Sequence, residues 1–231
     1  MIARIDILET PDAGPAARLW GRALRAAAGM PGFRGARLLR VYRRLNRTGY
    51  ALVGLSRWDS LAAYHGAEDA LHRRPFGPET PPGVNLYGRV DASPPCAQPV
   101  EAEQIVVTNP YRIDRGAAAE NARMWAATKT LMQTREGFLD AELFQSFHPD
   151  ADAYYFVSRA RWRTEADFLR QFAGQDYKAL VAPYEGTFQI CFSRVADDVP
   201  DPAAPAIPGG ADAPAPAPSL SLSLATEGVS S

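Results

Sequence analysis

Lysine is nearly missing from this 231-residue chain: Lys129 and Lys178 stand alone, and arginine supplies the rest of the 25 basic residues. Cysteine is limited to Cys96 and Cys191, which make neither a cysteine metal cluster nor the disulfide framework of a small secreted domain. Histidine is limited to His65, His72 and His148. None has metal-ligand spacing; the first two read as a solvated helix face and the third as a turn residue. Long apolar runs are also lacking. Ile105 to Val107 is typical, far short of the roughly 20 residues of a membrane helix. MIARIDILETPD has no basic segment followed by an apolar one, so no signal peptide is expected and the cytoplasm is the expected compartment. There is no glycine-rich phosphate loop, no Gly-x-Ser-x-Gly and no cysteine beside an evident base. Charge nearly balances, 25 basic against 26 acidic, and the arginines are scattered, so no nucleic-acid surface is expected.

What is present is a duplication. Ala17-Arg18-Leu19-Trp20 returns as Ala122-Arg123-Met124-Trp125, and Gly32-Phe33 returns as Gly137-Phe138. One residue is then lost. Tyr50, Val53, Arg57-Trp58, Ala62 and Tyr64 correspond to Tyr154, Val157, Arg161-Trp162, Ala166 and Phe168. The four tryptophans fall into two pairs, which chance explains poorly. A proline-rich stretch near Ser93 to Gln104 separates the copies. From about Asp197 the chain carries seven of its 20 prolines, five acidic and no basic or aromatic residues. That composition buries too little to offset ordering entropy. The expected organisation is a first domain over 1–92, a linker over 93–103, a second domain over 104–195 and a disordered tail over 196–231.

Each half reads as strand, helix, strand, strand, helix, strand. Asp114, Asp59-Ser60 and Thr164-Glu165 open helices, and Pro31-Gly32 and Gly137 stop them. Asn46 to Gly49 and His148 to Asp152 supply turns. This order is the ferredoxin-like split βαβ pattern. One such sheet leaves an apolar face open, and a second copy covers it. The expected fold is α+β: two tandem ferredoxin-like domains packed sheet to sheet as an intramolecular dimeric-type α+β barrel.

By alternation, the third strands place Tyr50, Leu52, Gly54, Ser56 and Trp58 on one face, and Tyr154, Phe156, Ser158, Ala160 and Trp162 on its counterpart. Small residues between aromatics suit a flat aromatic ligand, and equally suit a core that receives a bulky helix side chain. Asn109, unusual in a strand, could donate to an oxygen that gains charge, or satisfy strand-end backbone. Trp20 and Trp125 read first as core, with a pocket wall as the alternative.

Thr108-Asn109-Pro110-Tyr111, Met30-Pro31-Gly32-Phe33 and the Tyr-x-x-Val-x-x-x-x-Trp spacing of Tyr154 to Trp162 and Tyr50 to Trp58 resemble the antibiotic biosynthesis monooxygenases. The resemblance spans roughly residues 1–195. The tandem form resembles tailoring oxygenases of aromatic polyketides, including those that open angucycline-type rings. It implies a polycyclic aromatic substrate, O2 as co-substrate, no tightly bound cofactor, and for some members reduced flavin from a separate reductase. It implies catalytic roles for a strand-one asparagine and a strand-three tryptophan, here Asn109 and Trp162. Tyr154, Phe156, Ser158, Trp125, Phe168, Trp58 and Tyr64 are then the substrate-binding candidates. At the offset of 105 found in the helices, Arg4 stands at the Asn109 position. An asparagine four residues before the tryptophan, found in some members, is replaced by Gly54 and Ser158. A tyrosine six residues after it is kept as Tyr64 and lost at Phe168.

The resemblance implies an oxygenase acting on an anthrone- or hydroquinone-type intermediate, by oxidation or ring opening. A carrier for an aromatic intermediate is the alternative of another class. Haem degradation is a third, opposed by the absence of histidine after His148. No metal, nucleic-acid or membrane partner is expected. The pseudo-dimer is contained in one chain, and a homodimer of such chains is compatible with it.

Overall fold

The computed structural model describes residues 1–10, 12–45, 50–71, 85–96, 104–148, 154–187 and 189–203. His72, the expected turns at 46–49 and 149–152, residues 97–103 of the linker and the tail from residue 204 lie outside the described residues.

In the first half the order is β1 (Ile2–Leu8), α1 (Ala13–Ala27), β2 (Phe33–Arg44), β3 (Leu52–Trp58), α2 (Leu61–Leu71) and β4 (Leu86–Ala92). The second half runs β5 (Ile105–Tyr111), α3 (Ala118–Gln133), β6 (Phe138–Ser146), β7 (Phe156–Trp162), α4 (Glu165–Arg170), α5 (Gln175–Val181) and β8 (Cys191–Val199). Asp12 caps α1 by accepting from the Gly14 N–H at 3.1 Å, and Thr164 caps α4 by accepting from Asp167 N–H at 3.1 Å. Asp114 instead caps a 3₁₀ turn, Arg115–Ala117, that leads into α3. The helix exits are alike. Gly32 and Gly137 take φ of 79° and 82°, and their carbonyls accept from Asp59 N–H at 2.8 Å and Arg163 N–H at 2.7 Å. That conformation favours glycine, which explains the matched positions.

The eight antiparallel strands close into one barrel, β1-β3-β2-β8-β5-β7-β6-β4. Each half supplies a ferredoxin-like sheet, as expected. The join is more than face-to-face packing, because β2 pairs with β8 and β4 pairs with β6 across the halves. Closure leaves no strand edge unpaired. It also corrects the limit of the tail. β8 runs to Val199, with Asp197 paired to Arg25 at 2.7 Å and Asp198 to Arg37 at 3.0 Å. The chain after β4 is held as well, since the Ser93 hydroxyl accepts from Ala141 N–H at 2.8 Å.

Three apolar clusters follow from strand alternation. One lies between the first sheet and α1–α2, with Trp20, Trp58 and Tyr64. A second lies between the second sheet and α3–α5, with Trp125, Trp162 and Phe168. The third fills the barrel, with Ile5, Leu39, Leu55, Val106, Phe144 and Val157. At one end of the barrel interior the apolar filling gives way to charge. Glu142 accepts from Arg57 of the first half at 2.6 Å and from Arg159 at 3.0 Å, and Asp140 accepts from Arg159 at 2.9 Å and Arg161 at 2.5 Å. Burial alone would raise the Glu142 pKa, but Arg159 and Arg57 outweigh it and push it down to about 2.

Candidate active site

Strand register fixes how the halves correspond. Ile2, Arg4, Asp6 and Leu8 lie opposite Trp58, Ser56, Gly54 and Leu52. Ile105, Val107, Asn109 and Tyr111 lie opposite Trp162, Ala160, Ser158 and Phe156. The counterpart of Asn109 is therefore Asp6, and Arg4 corresponds to Val107. The offset of 105 that holds in the helices does not hold in the first strands. The connection from β5 to α3 is two residues longer than that from β1 to α1, and the Asp114-capped turn takes up the difference.

A hollow opens between the second sheet and its helices. Val107, Asn109, Tyr111, Ser158 and Ala160 form its floor, and Met124, Trp125, Thr128, Met132, Phe168, Tyr177 and Val181 its walls. It measures about 500 Å³ when its open mouth is counted, and leaves about 30 Å³ for the centres of water-sized groups. Its helical wall is built by i, i+4 spacing: Met124, Thr128 and Met132 on α3, and Tyr177 and Val181 on α5.

The polar edge is compact. The Tyr111 hydroxyl lies 3.4 Å from Ser158 Oγ and beside the Asn109 amide, and burial pushes its pKa up. The Asn109 amide is best oriented with its NH2 donating to the carbonyls of Gln189 (3.1 Å) and Thr108 (3.0 Å). Both hydrogens are then spent, and the amide carbonyl is turned towards donors. To stabilise a substrate oxyanion directly, Asn109 would have to give up one of these backbone bonds. Thr128 donates to Met124 O at 2.9 Å. Tyr177 also has its pKa raised, by burial and by the neighbouring Tyr111.

Asn109, Ser158, Trp125 and Phe168 thus line the hollow, and the other candidates do not. Trp162 is fully buried outside the lining, edge-on to Phe138 at 5.3 Å and to Phe168 at 5.6 Å. Its indole N–H has no partner, whereas that of Trp58 donates to Ser56 Oγ at 3.1 Å. The counterpart of Ser56 is Ala160, so the missing acceptor is a sequence difference. Phe156 packs in the same helix-side cluster. Tyr154 precedes β7, packs against the barrel-interior cluster and donates to Gln189 Oε1 at 3.3 Å. Tyr50 likewise belongs to the barrel interior. Extending the alternation back from Phe156 and Leu52 misplaces both tyrosines, because they lie outside the regular strands.

Trp58 and Tyr64 belong to the first-half core, where the equivalent space is filled. There Asp6 accepts from Arg4 Nε at 2.9 Å and from Asn85 Nδ2 at 2.9 Å, and Arg4 also donates to the Tyr64 hydroxyl at 2.9 Å. Trp20 lies so close over Gly54 that a Cβ there would fall 2.2 Å from its Nε1. Sequence reasoning missed Tyr111, Met124, Thr128, Met132, Ala141, Tyr177 and Val181. Period two from Asn109 identifies Tyr111, and period four from Met124 identifies the α3 wall.

Among described residues no group of three or more histidine, cysteine, aspartate or glutamate side chains is placed to hold a metal ion, and no helix is long and apolar enough to cross a membrane. No curated protein matches the chain. Solved structures do. A protein from Fusobacterium nucleatum described as a monooxygenase has a TM-score of 0.59 at 9% identity, covering 86% of this chain and 94% of its own. An anthrone oxidase-like protein has a TM-score of 0.60 at 10% identity, covering 85% and 91%. A protein from Lactobacillus acidophilus, also described as a monooxygenase, has a TM-score of 0.53 at 9% identity, covering 85% and 93%. At such identities the likeness is one of fold. Residues 104–183 match the family model described as antibiotic biosynthesis monooxygenase.

Proposed function

We propose that the protein is a monooxygenase that oxidises a phenolic polycyclic aromatic, of the anthrone or hydroquinone type, in the hollow of its second half. The observation that carries this reading is the position and lining of that hollow. It opens within the segment that matches the family, and sets apolar walls of Trp125, Phe168, Met124 and Met132 against a polar edge of Asn109, Tyr111 and Ser158. Flat apolar walls hold a ring system, and a polar edge fixes one oxygen of it.

For an anthrone, the balanced change converts a ring CH2 to C=O and reduces O2 to one water. The electron-rich deprotonated substrate supplies the electrons, so the protein's tasks are to bind, exclude water and stabilise the oxygen that carries the charge. Where the reaction is ring opening, reduced flavin from a separate reductase would be the electron source. A three-ring skeleton exceeds the present free space. Its binding requires the flexible Met124 and Met132 to turn, and the short α5 to move outward. Trp162 braces Phe168 from behind. Its N–H lacks the acceptor that Ser56 supplies to Trp58 in the first half, and a substrate oxygen could take that place.

The test is oxygen uptake with anthrone, with the quinone product identified by mass and by the incorporation of one ¹⁸O from labelled O2. Ser158→Leu fills the hollow and should abolish uptake while the fold is retained. Uptake that survives this substitution would place the chemistry elsewhere in the molecule. No uptake with anthrone or hydroquinone substrates, together with tight binding of the same compounds, would favour a carrier.

A further inference from the structure

We propose that the Tyr177 hydroxyl on α5 hydrogen-bonds the oxygen carried on the ligand's ring system, and so sets a preference for oxygenated over plain aromatics. This inference rests on the reading of the second-half hollow as an aromatic site.

The other polar side chains of the lining hold one another or the backbone. Both Asn109 amide hydrogens go to the carbonyls of Gln189 and Thr108. Tyr111 is hydrogen-bonded to the Asn109 side chain and lies 3.4 Å from Ser158 Oγ. Thr128 donates to Met124 O at 2.9 Å. Arg159 donates to Glu142 and Asp140 in the barrel interior. Tyr177 differs. Its backbone N–H donates to Asp176 Oδ1 at 2.8 Å, but its hydroxyl makes no hydrogen bond to any described residue. The residue lines the hollow and is only 5% exposed. A phenol hydroxyl buried without a partner carries a desolvation cost, which a ligand oxygen in the hollow would relieve.

The Tyr177 ring stands edge-on to Phe172 at 5.0 Å, which fixes its direction. Burial, and then the neighbouring Tyr111, push its pKa up. The hydroxyl therefore stays protonated through the neutral range, and it sits beside the polar edge of the hollow. The Trp125 indole N–H is a second lining donor without a hydrogen bond to a described residue. Its ring carries the Lys129 ammonium at 5.3 Å, and Lys129 is paired to Asp91 of β4. In the barrel order β7 and β6 lie between β4 and β5, the strand of Tyr111. Tyr177 is thus the open donor beside Tyr111. The ligand class it selects is a polycyclic aromatic with a phenolic or ketone oxygen on its ring edge.

The experiment measures binding of 2-naphthol and of naphthalene to the full chain by equilibrium dialysis. The wild type should prefer 2-naphthol by roughly tenfold, the scale of one net hydrogen bond. Tyr177→Phe should erase that preference and leave naphthalene affinity unchanged, which also reports that the hollow is intact. Trp125→Phe should keep the preference. If Tyr177→Phe keeps the preference, the inference is overturned, and its loss in Trp125→Phe would name the indole instead. An equal loss of both probes in Tyr177→Phe would make Tyr177 a packing wall and overturn the inference as well. Equal binding of both probes by the wild type overturns the donor and leaves the aromatic site standing. Binding of neither probe overturns both.

Discussion

The two halves share one fold and spend the same space differently. Under α1, Gly54 has no side chain, and the Trp20 indole sinks onto the strand. Under α3, Ser158 carries a Cβ at the corresponding point, and Trp125 stands at the wall of a hollow. Asp6 becomes Asn109, Arg4 becomes Val107, Leu8 becomes Tyr111 and Tyr64 becomes Phe168. The first set is a buried ion pair with hydrogen-bond partners, which locks that half. The second set removes the charges and leaves one hydroxyl, that of Tyr111, and one amide, that of Asn109, at the edge of the hollow. A closed barrel permits this division, because one half can be packed for stability while its twin leaves room for a ligand. Between two halves of like fold, the half proposed to bind a ligand stands out by what is missing from its core as much as by its polar residues.

The largest expected effects would come from exchanging these roles. Arg4→Ala leaves Asp6, itself 4% exposed, buried with Asn85 as its remaining named partner. Breaking a buried pair in this way costs about 3–5 kcal/mol. Denaturant unfolding should show that loss, while turnover of the folded fraction stays near wild type. Asn109→Ala should behave in the opposite way: the polar edge of the hollow loses its anchor, and turnover should fall by roughly 10²-fold, the scale of a misplaced site, with a smaller change in unfolding. If Arg4→Ala abolished turnover in folded protein and Asn109→Ala were silent, the assignment of the halves would be reversed.

Next in size is the position under the tryptophans. Gly54→Ala places a Cβ against the Trp20 indole, and overpacking of this kind costs about 3 kcal/mol. Ser158→Gly removes the corresponding Cβ, so Trp125 can settle inward. Stability should change by less than about 1 kcal/mol, and affinity for 2-naphthol should fall. A Gly54→Ala protein with wild-type stability would show that Trp20 moves aside easily, and that the first half is not locked.

Much of this contrast was legible in the sequence, and the part that was not has identifiable causes. The paired tryptophans and the glycines at the helix exits take matching places in the two halves, and Trp58 with Phe33 and Trp162 with Phe138 make the same edge-on contact at 5.2 and 5.3 Å. Asn109, Ser158, Trp125 and Phe168 come together at the hollow because strand period and helix repeat carry them to one face. The pairing of Asn109 with Arg4 failed because a difference in loop length is invisible until strand register is known. Trp162 lies outside the lining of the hollow because the strand pattern gives a face and not a depth: it packs against Phe168 without reaching the lining. The α5 wall was missed because Gly174 divides what reads as one helix.

A smaller effect concerns the seam between the halves. Arg57 reaches from β3 to Glu142 on β6. Because Glu142 is held at about 2 against an ordinary 4.5, its contribution is fully present above pH 4.5 and is lost as pH falls through 2. Arg57→Ala should cost roughly 2 kcal/mol at pH 7, the scale of a hydrogen bond to a charged group. Urea unfolding at a series of pH values should show the gap between wild type and variant shrinking below pH 4.5. A gap that is constant down to pH 2 would mean that Arg57 acts by packing alone.

The smallest effect separates the two tryptophans themselves. Trp58 and Trp162 are both fully buried, and each is edge-on to a phenylalanine of the preceding strand. Trp→Phe therefore removes nearly the same volume at both sites, and the packing losses should largely cancel in the difference. What does not cancel is the indole N–H. At Trp58 the substitution breaks the 3.1 Å bond to Ser56 Oγ and leaves that hydroxyl buried without this partner. At Trp162 it removes a donor that had no partner, which relieves a desolvation cost. Trp58→Phe should thus be the more destabilising by about 1 kcal/mol in parallel denaturant titrations. Turnover should respond in the opposite order if a substrate oxygen meets the Trp162 N–H, with Trp162→Phe the slower enzyme although it is the more stable protein. Equal stability losses would place an unseen acceptor at Trp162. Equal turnover would confine Trp162 to bracing Phe168.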